Sequence, residues 1–173
     1  MNNSLLLPNF WRFLLIALVQ MLLFKQVSLL VGPYFIIMLW PLCILFLPIE
    51  LGTPFAVLLG FALGMIIDMA YASPGLHASA GAFSAYARPF ILKAFEPKGG
   101  FSGKESIPAP AYFGWPFFLQ VSGIFFLLHL FWYFSVDAFT FYYFGTITLK
   151  TLAGWGLTMI FVVLYVFLFN PKN

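Results

Sequence analysis

The chain has 173 residues, of which 63% are hydrophobic and only 8% charged, with a mean hydropathy of +1.01. A soluble domain carries roughly 25% charged residues, so this composition excludes a water-facing globular surface and implies an integral membrane protein in one domain, 1–173. The net charge of +3 comes from eight basic and five acidic residues that gather into no exposed face, which argues against a nucleic-acid partner, and the single Cys43 excludes an intrachain disulfide or a cysteine metal cluster.

A crossing helix needs about 20 apolar residues. The first is predicted over residues 5–24, with Pro8 at its start, Trp11 as an interfacial anchor and Arg12 snorkelling to the near interface. No basic segment precedes Leu5 and no small-residue cleavage pattern follows the run, so it is expected to stay in the membrane. The second is predicted over 27–47; Gly32-Pro33 and Pro41 make it start late or bend. The third and fourth are predicted over 54–72 and 75–94. The fourth is thin, with Ala78, Ser79, Ala80, Gly81, Ala82, Ser84, Ala85 and Ala87, and small side chains let membrane helices approach closely, which places it at the bundle centre. Residues 95–111 are polar, rich in Gly and Pro, and read as a loop. The fifth helix is predicted over 113–135, bracketed by Trp115-Pro116 and Trp132-Tyr133, and the sixth over 147–169.

The expected fold is therefore all-α: a polytopic, six-helix transmembrane bundle. With six spans, Arg12, Lys93, Lys98, Lys104 and Lys172 share one side, and Lys25 and Lys150 the other. The positive-inside rule then puts both termini and the 95–111 loop in the cytoplasm, and the turn at Ser73-Pro74-Gly75 outside.

Polar residues cluster around that turn. Asp68 lies in the last turns of the third helix and His77 at the start of the fourth, and two antiparallel helices bring them within reach. The pair reads either as a proton relay or ligand site, or as a structural clasp; the lack of further carboxylates at membrane depth favours the clasp. A clasp made of one Asp–His hydrogen bond would tolerate Asn at 68. Arg88 lies about 18 Å from the outer end by helical rise, too deep to pair with Asp68, and is expected to snorkel toward headgroups or to bind backbone near Pro89. Gly60 and Gly64 form a Gly-xxx-Gly pair suited to packing within the bundle. His129 reads as a satisfied packing residue. No catalytic, cofactor-binding or metal-ligating set is found: no phosphate-binding loop, no zinc-protease motif, and a serine near His and Asp only at Ser73. No cofactor and no enzymatic activity are expected.

Gly60, Gly64, Asp68, Pro74, Gly75, Leu76 and His77 stand in an order that resembles the central hairpin of the bacterial rod-shape-determining protein MreD family. The resemblance implies a non-enzymatic scaffold of the cell-elongation machinery in the bacterial inner (cytoplasmic) membrane. It would support rod shape and lateral peptidoglycan synthesis through contacts with MreC, RodA and the transpeptidase partner of RodA, besides membrane lipids. It also implies a fold like the substrate-capture subunits of energy-coupling-factor transporters. That keeps a second function open, a small-molecule (vitamin-type) binding subunit, for which Asp68, His77 and Asp137 are the outward polar candidates. The candidate structural or partner-contact residues are Gly60, Gly64, Asp68, Pro74, Gly75, His77 and Arg88.

Overall fold

The computed structural model describes residues 14–24, 26, 36–101 and 107–169. Helical residues 14–19 run into a π turn at Gln20–Phe24. There follow α1 (Leu42–Leu45), α2 (Thr53–Tyr71), α3 (Leu76–Ala94), α4 (Pro110–Ala138) and α5 (Phe144–Phe169), with a 3-10 turn at Phe141–Tyr143 before α5.

Three of the described helices, α2, α4 and α5, are long and apolar enough to cross a bilayer. The protein is thus a multi-helical, multi-pass membrane protein, but the expected six-span bundle, with its likeness to transporter substrate-capture subunits, does not form among the described residues. Residues 5–13 and 27–35 of the first two predicted spans lie outside them. Within the second, residues 36–39 are not helical and α1 is a single turn of four residues. Pro41 accounts for much of this: it has no N–H to donate and is stable only at the start of a helix, where it stands here. The fourth predicted span is present as α3, 19 residues long, but it fails as an apolar crossing because its small and polar residues dilute it. A helix packed among others need not be apolar all round.

Local chemistry explains the helix ends. Pro54 stands in the first turn of α2, where a missing N–H costs nothing. Gly114 breaks the start of α4 with φ 80°, and Pro116 begins the continuous helix beyond it. The 95–111 segment is less of a loop than its composition suggests. Ile107, Pro108 and Ala109 are buried, and helix resumes at Pro110.

α3 packs against α2 along its length, and the contact is backbone on backbone. A Cβ added at Gly60 would stand 2.6 Å from the Gly81 carbonyl oxygen, and one at Gly64 2.5 Å from Ala78 Cα. Gly60 meeting Gly81 while Gly64 meets Ala78 is an antiparallel register. The other face of α3 packs on α4, through Ser84 with His129 and a stacked Phe83–Trp132 pair at 4.2 Å. α4 in turn packs on α5, where Trp155 Nε1 donates to the Gly123 carbonyl at 2.8 Å. Half of the most apolar part of α4 is buried, against 28% for α2 and α5, so α4 is interior and the other two present broad apolar faces outward.

Between these helices runs residues 36–47, which we call the strap. Ile37, Met38, Leu39, Trp40, Leu42, Ile44, Leu45 and Phe46 are all buried. Its start lies beside the middle of α5: the Ile36 carbonyl faces Gly154, and Met38 N–H donates to Thr158 Oγ1 at 3.1 Å. Its end reaches Arg88 on α3. Irregular backbone at membrane depth is tolerated only where protein covers it and satisfies its polar groups. Here the strap is covered, and Gln20, Thr158 and Arg88 supply partners to the backbone of residues 37–40, 45 and 47.

Candidate functional site

The site is built from the end of α2, the turn after it and the first turn of α3. α2 ends at Ala72, which takes a left-handed conformation with φ 54°. Gly75 opens α3 with φ 86° and offers no side-chain cap of its own. The first turn of any helix leaves N–H groups without intrahelical partners. Here the cap comes from the neighbouring helix. Asp68 Oδ2 accepts from the N–H groups of Gly75 (3.1 Å) and Ala78 (3.0 Å). Asp68 Oδ1 accepts from His77 N–H (2.9 Å), His77 Nδ1 (2.9 Å) and Ser73 Oγ (3.0 Å). A carboxylate in the last turns of α2 is poorly placed for the dipole of its own helix, and well placed for the N-terminus of α3. Asp68 and His77 are 4% and 1% exposed.

Sequence reasoning brought Asp68 and His77 together correctly but underestimated the carboxylate, which holds three backbone N–H groups as well as the imidazole. Ser73, His77 and Asp68 are mutual neighbours, with Ser73 Oγ 3.0 Å from His77 Nδ1. They do not form a nucleophilic triad. Such a triad puts the carboxylate on one imidazole nitrogen and the serine on the other, whereas here both oxygens lie against Nδ1.

Pro74 and Gly75 form the turn. With Met65, Asp68, Met69 and Ala72 they line a shallow depression of about 360 Å³, in which Asp68 is the one charged side chain. Gly60 and Gly64 serve the α2–α3 contact, as expected. Asp137 stands at the C-terminal end of α4, the end shared with the 72–75 turn, with Lys150 Nζ 4.0 Å away, and its charge acts on His77 from a distance. Among the described residues, no cluster of three or more His, Cys, Asp or Glu side chains is placed to hold a metal ion.

Arg88 departs from expectation. It does not snorkel: it is 2% exposed, Nε donates to the Leu45 carbonyl at 3.1 Å, and the terminal nitrogen donates to the Leu47 carbonyl. These are carbonyls at the end of α1, where a cation suits the helix terminus. Arg88 therefore holds the end of the strap, and among the described residues no carboxylate pairs with it.

Gln20 is the functional residue that sequence reading missed. Its amide donates to the Ile37 carbonyl (2.9 Å) and to Tyr71 Oη (2.8 Å), and its Oε1 accepts from Leu39 N–H (2.7 Å) and, at 3.4 Å, Trp40 N–H. One side chain thus satisfies much of the irregular strap and ties it to the end of α2. A lone Gln in an apolar run was the available signal. A second signal was the spacing His77, Gly81, Ser84, Arg88, which falls on one face of a helix. All four are used: His77 for the clasp, Gly81 for the Gly60 crossing, Ser84 for His129 and Arg88 for the strap.

His129 is only half satisfied. Its Nδ1 lies 2.7 Å from Ser84 Oγ, and its buried Nε2 has no partner. Aromatic rings close the region, with Tyr71 and Tyr133 5.0 and 4.9 Å from the His77 ring.

No family model, no curated protein and no solved structure matches this chain.

Proposed function

We propose that the protein is a membrane scaffold of the bacterial cell-elongation machinery. In this reading it sits in the inner membrane and supports rod shape and lateral peptidoglycan synthesis through helix contacts with MreC and the RodA–transpeptidase pair. The family part of the reading rests on the resemblance of Gly60, Gly64, Asp68, Pro74, Gly75, Leu76 and His77 to the MreD hairpin. One structural observation supports a scaffold. The strongest polar group of the hairpin is saturated, with five donors on the Asp68 carboxylate. A carboxylate so engaged rigidifies the hairpin and has little left to offer a substrate. Outward, α2 presents Phe55, Leu58, Phe61, Met65 and Met69. A rigid hairpin with a continuous apolar face is suited to contact with another membrane helix.

The antiparallel register of α2 to α5 supports one orientation. Residues 95–101 and 107–109 and the end of α5 share one end, and the 72–75 turn and the connector before α5 share the other. Lys93 and Lys98 belong to the first end and Lys150 to the second. We therefore place the first end in the cytoplasm. A reporter fused after Asn173 reads as cytoplasmic, and one inserted at Ser73-Pro74 as external.

The decisive test is co-purification of the protein with MreC from gently solubilised membranes, paired with rescue of rod shape in a deletion strain. Recovery of MreC and restored shape support the scaffold. A vitamin-type molecule retained through purification, with no MreC recovered, replaces it with the transporter-subunit reading.

A further inference from the structure

Two buried polar atoms among the described residues lack a hydrogen-bond partner: Trp40 Nε1 and His129 Nε2. Both residues are fully buried, at 0% exposure. They are neighbours, with ring centroids 5.2 Å apart and planes at 76°. One belongs to the strap and the other to α4. The Trp40 ring is fixed from behind by α3, since a Cβ at Gly81 would come within 2.9 Å of its outer edge.

The two atoms are chemically complementary. An indole nitrogen is a donor only. The character of His129 Nε2 follows from Ser84. The tautomer that uses both contacts of Ser84 Oγ puts its hydroxyl proton on the Ala80 carbonyl (2.8 Å) and lets Oγ accept from His129 Nδ1–H (2.7 Å). That tautomer leaves Nε2 with a lone pair, an acceptor. A buried donor and a buried acceptor on adjacent rings, neither satisfied, are costly in an apolar interior.

We infer that Trp40 and His129 form a buried binding site for one hydroxyl group, which accepts from Trp40 Nε1–H and donates to His129 Nε2. One oxygen making two hydrogen bonds of about 2.8 Å can join nitrogens on two rings that are neighbours, as these are at 5.2 Å between centroids. The chemistry suits an internal water or the hydroxyl of a small alcohol-bearing ligand. In either case the bridge fastens the strap to α4 at its middle, between the Gln20 attachment and the Arg88 attachment. His77 borders it, with its ring 6.3 Å from that of Trp40.

The experiment is NMR of wild-type protein carrying ¹⁵N-Trp and ¹⁵N-His in deuterated detergent. The Trp40 indole signal is assigned by replacing Trp11, Trp115, Trp132 and Trp155 one at a time, so that Trp40 itself stays in place. Trp155, whose indole donates to Gly123, gives the reference for a bonded N–H. The expected result is a Trp40 indole proton shifted downfield like that of Trp155, with His129 protonated on Nδ1 alone. A cross-peak from that proton to water identifies the occupant as water. No water cross-peak, together with a hydroxylic molecule released on denaturation and detected by mass spectrometry, identifies a ligand. An indole proton shifted upfield by the imidazole ring means a direct N–H to ring contact and overturns the proposal. So does a proton on His129 Nε2, or a downfield indole with neither water contact nor released molecule.

Discussion

The hairpin and the strap solve the same physical problem by opposite means. Each has backbone polar groups that must be satisfied away from water. In the hairpin the donors and the acceptor lie 5 to 10 residues apart in the chain, and a single carboxylate serves them. In the strap the partners come from 17 to 120 residues away, on three different elements. The hairpin is a local structure that can close as soon as α2 and α3 meet. The strap has no stable form until the N-terminal segment, α3 and α5 are all in place around it.

The largest effect is expected where neither solution applies, at the backbone crossing that holds α2 against α3. Gly64→Leu forces a side chain into the backbone of Ala78 and is expected to destabilise the protein by about 3 kcal/mol or more. Monodisperse protein in detergent should be lost. Leu58→Ala, at a position 63% exposed on the outer face of the same helix, should leave the yield near wild type. Similar yields for the two would mean that the close crossing does not organise the hairpin.

The next comparison sets the strap against the clasp directly. Gln20→Met keeps the length of the side chain but strips Ile37, Leu39 and Trp40 of their partners, at a cost of about 2–4 kcal/mol. Asp68→Asn keeps one acceptor oxygen and turns an N–H₂ toward groups that are themselves donors, at a cost of about 2–3 kcal/mol. The geometry thus reverses the simple expectation that an amide replaces this carboxylate without loss. Hydrogen exchange separates the two variants. Gln20→Met should speed exchange at Leu39 and Trp40 and spare Gly75 and Ala78; Asp68→Asn should do the reverse. If both variants loosen both regions equally, the clasp and the strap are one cooperative unit.

This difference also explains what could be read from the sequence. α2, α3 and α5 were bounded to within a few residues, since apolar runs and breakers such as Pro54 and Gly75 act locally. The Asp68–His77 pair was legible for the same reason: helix rise alone brings the two residues to one level. The strap was not legible. Its residues are as apolar as those of a spanning helix, and only Pro41 hinted otherwise. What makes irregular backbone possible there is Gln20, Thr158 and Arg88, whose relation to residues 36–47 no local pattern encodes. Arg88 was misread on that account, because an arginine inside an apolar run has a bland interfacial explanation until the carbonyls it binds are known. Satisfaction of the His129 imidazole is likewise a statement about two nitrogens that a sequence cannot make.

A smaller effect tests the far end of the strap. Thr158→Val preserves shape and removes the acceptor of Met38 N–H, with an expected loss of about 1–2 kcal/mol in thermal unfolding. Exchange at Met38 should rise while the Gln20-bonded amide of Leu39 stays protected. No change at Met38 would mean that Thr158 packs against the strap without holding it.

The smallest effect is at Ala72 in the turn, and its sign is opposite. Ala72 closes α2 in the left-handed region, where a Cβ costs roughly 1–2 kcal/mol. Glycine removes that strain, while its freer unfolded chain returns roughly 0.5–1 kcal/mol. Ala72 is exposed, so its methyl group contributes little packing. Ala72→Gly should therefore raise stability by about 0.5 kcal/mol. Gly75→Ala is the mirror experiment. Its φ is 86° and no atom lies within 4 Å of the added Cβ, so any loss is backbone strain alone. That loss should be about 1–2 kcal/mol. The pair shows whether the turn geometry is imposed by the clasp. If Asp68 holds the turn through Gly75 and Ala78, Gly75→Ala should keep the protected exchange of Ala78 and show only the reduced stability. If Ala78 becomes unprotected as well, the turn positions the carboxylate, and the hairpin is organised from Gly75 outward rather than from Asp68.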